Sequence, residues 1–67
     1  MNKDFLSQDW INRHYRGYIT RDGAFLATKM YLKKNLDIGY ITQEEYDLAM
    51  ERNQIAYDNN AQDKPSE

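Results

Sequence analysis

Apolar residues recur at helical spacing in three stretches of this chain, and each stretch is bounded by residues that start or stop helices. The first is Gln8 to Arg16. Ser7 is an N-cap, Leu6 and Ile11 occupy the two positions of a hydrophobic staple, and Asp9 suits the first turn. Arg13 and Arg16 suit the last turn, and Gly17 terminates it. The helix so predicted has an apolar face of Ile11 and Tyr15, with Trp10 and His14 on an adjoining stripe and Phe5 packing in from the N-terminal arm. The third stretch runs from Gln43 to about Tyr57 and carries two stripes. Leu48, Ala49, Ile55 and Ala56 form one; Tyr46, Met50 and Tyr57 form the other, with Asn53 between them. One stripe suffices for a core contact, and the second either completes the core or faces a partner.

The second stretch forks. Thr20 is a fair N-cap, but Gly23 stands where a capping box needs Glu or Gln. Asp22-Gly23 is also a hairpin-turn signal between the triplets Tyr18–Thr20 and Ala24–Leu26. The apolar residues from Ala24 to Leu36, with Phe25, Leu32 and Leu36 on one face, favour a helix from Asp22 or Gly23 to Asp37. The alternative is a small β-hairpin around Asp22-Gly23 followed by a shorter helix.

The boundary between the second and third stretches, Leu32 to Tyr46, is the strongest local signal. Lys33 and Lys34 complement the carbonyl end of one helix, and Gly39 suits the left-handed residue that ends it. Ile41 precedes Thr42, and Thr42-x-x-Glu45 is a capping box with Glu44 adding charge to the first turn. The GYIT wording at Gly17–Thr20 recurs at Gly39–Thr42. The fold expected is mainly α, a compact three-helix arrangement with GYIT turns, completed by dimerisation if its own core is too small. A single domain covers 1–57, and DNNAQDKPSE from Asp58 reads as a disordered polar tail.

Sixty-seven residues bound the chain to one small domain. There is no cysteine and one histidine, so neither disulfides nor a structural zinc site is expected, and no cofactor motif is present. No apolar run is long enough to span a bilayer and no signal peptide is visible, so a cytoplasmic location without membrane insertion is expected. A virion component fits the same expectation. The net charge of −2 hides a polarity: seven basic residues oppose three acids up to Lys34, and two oppose eight acids from Asn35 onward. Such polarity favours an oriented partner or head-to-tail self-association, or simply solvates two faces.

Leu36-x-x-Gly39-x-Ile41-Thr42-x-Glu44-Glu45-Tyr46 resembles the SHOCT-type short helical domains, whose pattern is a helix, G-x-I-T-x-E-E-[FY] and a second helix. The likeness runs from Leu32 to about Asn53. The GYIT and EEY wording is also similar to small phage proteins of the XkdX type, and Trp10, Tyr15 and Gly17 fit the aromatic-glycine turn of that pattern. Both resemblances imply a small helical protein without an enzymatic centre, of phage, prophage or mobile-element origin.

No Cys-His or Ser-His-Asp constellation is spaced for catalysis. Glu44 and Glu45 are accounted for by capping, and His14 has no companion, so an enzyme is not expected. The favoured class is a protein-interaction module, docking on a protein partner or on itself, as an assembly accessory or an inhibitor of a host or defence protein. Its candidate contact residues are Trp10, Tyr46, Met50, Asn53 and Tyr57. The alternative is a nucleic-acid-binding accessory whose basic first half contacts phosphates through Arg13, Arg16, Arg21, Lys29 and Lys33.

Overall fold

A computed structural model describes residues 3–60. A single 3₁₀ turn, Asp4–Leu6, leads into α1 (Gln8–Tyr15), α2 (Arg21–Asp37) and α3 (Gln43–Asn59), and no strand occurs among the described residues. The Asp22-Gly23 hairpin is therefore absent. Both residues lie in the first turn of α2, where the Thr20 hydroxyl accepts from the Gly23 N–H at 3.0 Å. The reason lies downstream: Ala24, Thr28 and Leu32 recur every four residues and are buried together, which only a continuous helix allows. At the other end, α3 passes the expected stop at Tyr57 and continues to Asn59. Gln54 donates to Asp58 one turn on, and the Asn60 side chain donates back to the Ala56 carbonyl at 2.8 Å. Of the tail expected from Asp58, the first two residues are thus helical, and 61–67 lie outside the described residues.

The caps behave as their residue types dictate. Ser7 accepts from the Trp10 N–H at 3.1 Å. Thr42 and Glu45 form the full capping box, at 3.1 and 2.8 Å. The Glu45 carboxyl lies below the ordinary carboxylate range, because it accepts from the Thr42 backbone and faces Lys3 at 3.3 Å. Gly39 has φ +80°, and the N–H groups of Gly39 and Tyr40 return to the carbonyls of Leu36 and Asn35. That is a Schellman ending, and it reverses the chain so that α3 lies against α2.

The core has two apolar clusters. Phe5, Leu32, Ile41 and Ala49 form one; Ile11, Tyr15, Ala24 and Ala56 form the other. Trp10 packs against both. Thr28 on α2 and Asn53 on α3 fall between them in sequence, and both are fully buried. The small residues Ala24, Ala49 and Ala56 let the three helices approach closely, so the larger Phe25 and Leu36 flank the contact half-buried. No helix among the described residues is long and apolar enough to cross a membrane.

Candidate functional site

Asn53 is the polar centre of the bundle. Tyr15 of α1 donates its hydroxyl to Asn53 Oδ1 at 2.5 Å, and Asn53 Nδ2 donates to the Phe25 carbonyl of α2 at 3.2 Å. One side chain thereby joins all three helices. The Tyr15 hydroxyl is pushed well above the ordinary tyrosine range, first by burial and then by the neighbouring Tyr57 and Asp58. Asn53 is fully buried, so it is closed to a partner.

The other expected contact residues are engaged inside the fold to differing extents. The Tyr57 hydroxyl donates to Asp22 at 2.6 Å; its ring meets Phe25 edge-on, and the Arg21 guanidinium lies 4.2 Å from its centroid. Tyr46 and Met50 are half-buried against the Phe5–Leu32 cluster. Trp10 is half-buried and stacks on His14 and Tyr31, at 4.8 and 5.9 Å between centroids. The expected stripe on α3 is therefore largely a seam against α1 and α2. Its companion is split: Ala49 and Ala56 are buried, whereas Leu48 and Ile55 are 46% and 48% exposed. The reason is angular. The buried line centres on Asn53, and a residue two places away on a helix points to the opposite side, which is where Ile55 stands.

The same rotation exposes the back of α2. Leu26 and Met30 lie two places either side of buried Thr28, and they are 57% and 63% exposed; Ile38, at the helix end, is 69% exposed. With Lys29, Lys33, Lys34 and Asp37 they line a shallow groove of about 390 Å³ whose walls are mostly apolar. Lys33 pairs with Asp37 at 3.2 Å, while Lys29 and Lys34 make no ion pair among the described residues. Ile38 also borders a second cleft of about 530 Å³, between α1 and α2, walled by Phe5, Trp10, Tyr31 and Tyr40 with Asp4 and Arg13 at its rim. The two surfaces share Ile38.

The basic residues weighed for phosphate contact do not gather on one face. Lys29 and Lys33 share the α2 groove. Arg13 pairs with Asp9 at 3.2 Å on α1. Arg21 is folded onto Tyr57, and Arg16, just past the end of α1, already has an interaction partner.

Sequence reading passed over Leu26, Met30 and Ile38, counting the first two only as support for a helix. The available signal was the four-residue spacing of Leu26 and Met30, with Ile38 eight residues on and lysines interleaved, along a helix whose core stripe lay elsewhere. No family model, curated protein or solved structure matches this chain.

Proposed function

We propose that this protein is a small, non-enzymatic interaction module of the cytoplasm, and that the outer face of α2 is its docking surface. The observation that carries the reading is the exposure of Leu26, Met30 and Ile38 along one basic, apolar groove. Burying such side chains on a partner is favourable by about 25 cal/mol per Å² of apolar surface, and contiguous apolar surface on a small domain marks a contact site. In the phage or mobile-element setting that the GYIT and EEY wording implies, such a module serves as an assembly accessory or as an inhibitor docking on a host protein.

A nucleic-acid role draws on Lys29, Lys33 and Lys34 in that groove. Aliphatic side chains between the lysines suit a protein surface better than a phosphate backbone, which needs closely spaced donors.

The test is retention of partners by immobilised wild-type protein and by a Leu26→Glu/Met30→Glu variant with unchanged helicity. A partner held by the wild type and lost by the variant supports the α2 face. Equal retention by both overturns it. Retention of duplex DNA that collapses with added salt would transfer the function to the nucleic-acid reading.

A further inference from the structure

The back of α3 carries the chemistry that the back of α2 lacks. Leu48 and Ile55 are exposed there, seven residues apart, so they stand about 10 Å apart along one side of the helix. Glu44 and Glu51 lie on the same side, with Asp47 and Asp58 on its flank. Asp47 and Asp58 accept only from the Gln43 and Gln54 amides, and Glu44 and Glu51 meet no cation among the described residues. The α2 groove offers the inverse: apolar Leu26, Met30 and Ile38 beside the unpaired Lys29 and Lys34.

We infer that the occupant of the α2 groove is the outer face of α3 from a second copy of this chain. The inference rests on the interaction-module reading and names its partner. Leu48 and Ile55 of one copy would cover Met30 and its neighbours on the next, with Glu44 and Glu51 brought against Lys29 and Lys34. Both faces point away from the core on different helices, and neither is covered by the helices of the described residues. A contact between two different faces is heterologous. It leaves one free face of each kind at the ends and therefore propagates, into a filament or a closed ring. A single helix-on-helix contact is at the small end of interface sizes, so association should be weak, with Kd on the order of 10–100 μM, and weakened further by salt.

The experiment is sedimentation of the full chain and of two variants, Met30→Glu and Ile55→Glu, alone and mixed. The wild type should gain mass with concentration beyond a dimer. Each variant alone should lose self-association at least ~10-fold, because each keeps one good face and has one spoiled by a buried charge. Mixed in equal amounts they should form a 1:1 dimer and nothing larger, since one intact α2 face meets one intact α3 face. Mixed variants that stay monomeric while the wild type associates would overturn the inference. So would an Ile55→Glu variant that still dimerises, which would mean that α2 pairs with α2. A wild type monomeric to about 1 mM would also overturn it; the α2 face as a docking surface would then stand or fall by the retention test, with a foreign acidic helix as occupant.

Discussion

Replacing Asn53 with alanine should cost more than any surface change in this chain. The truncation removes one of the two acceptors of the Tyr15 hydroxyl, leaving the Asn53 backbone carbonyl at 3.1 Å, and the donor to the Phe25 carbonyl, and it leaves a void among three helices. Each of the two lost hydrogen bonds costs about 0.5–1.5 kcal/mol, and the small void adds about 1 kcal/mol. The expected loss is therefore about 2–4 kcal/mol. A helical domain of this length has a total stability of roughly 3–9 kcal/mol, so Asn53→Ala should bring it close to unfolding. Urea denaturation followed by far-ultraviolet circular dichroism measures this directly. Tyr15→Phe and the double variant complete a cycle: the double variant should cost about 1–2 kcal/mol less than the two single losses combined, because both singles break the same bond. A single-variant loss below about 0.5 kcal/mol, or strictly additive losses, would refute the view that Asn53 ties the helices together.

Other changes test other joints. Thr28→Val should stabilise the protein by about 1 kcal/mol, raising Tm by about 4–8 °C, because the Thr28 hydroxyl is buried without a hydrogen-bond partner among the described residues. Gly39→Ala should destabilise by about 1–2 kcal/mol, for backbone reasons alone: φ is +80° and nothing lies within 4 Å of the added methyl, so relief by any neighbouring truncation would contradict it. His14 should titrate below its ordinary value, since burial disfavours its charged form and its Nε2 has no partner among the described residues. The unfolded chain takes up that proton first, near pH 6.5, so stability should be full above this value and fall as the pH drops through it; His14→Phe should flatten the slope. At the alkaline end the sign reverses for Tyr15: its raised value means stability holds below pH 10 and declines above it, and Tyr15→Phe should abolish that decline.

The helix boundaries were legible because they rest on short-range chemistry. Ser7, Thr42 with Glu45, and Gly39 each satisfy backbone groups within a few residues, and their spacing is visible in the sequence. Asp22-Gly23 was ambiguous for the same reason. The local signal favours a turn, and the decision belongs to the buried line of Ala24, Thr28 and Leu32. The core was less legible. Pattern reading weights large apolar residues, so it enlisted Leu48, Ile55, Phe25 and Leu36. Of the stripe of Leu48, Ala49, Ile55 and Ala56, only Ala49 and Ala56 are buried; the helices close on them, on Ala24 and on two polar side chains, Thr28 and Asn53, which hydropathy assigns to the surface. Asn53 was thus noticed at the right position and given the wrong partner: its amide serves Tyr15 and Phe25 rather than another molecule. The exposed line on α2 was missed for a related reason, since its leucine and methionine were counted only as support for a helix.

Amide spectra of uniformly labelled protein, recorded as the concentration is raised, test the proposed contact most directly. Shifts should appear together on two faces only: around Leu26, Lys29, Met30 and Lys33 on α2, and around Glu44, Leu48, Glu51 and Ile55 on α3. They should fade as salt is added. Concentration-dependent shifts centred on Trp10, Tyr46 and Tyr57, with both outer faces unmoved, would contradict the proposal and return the contact surface to the aromatic residues.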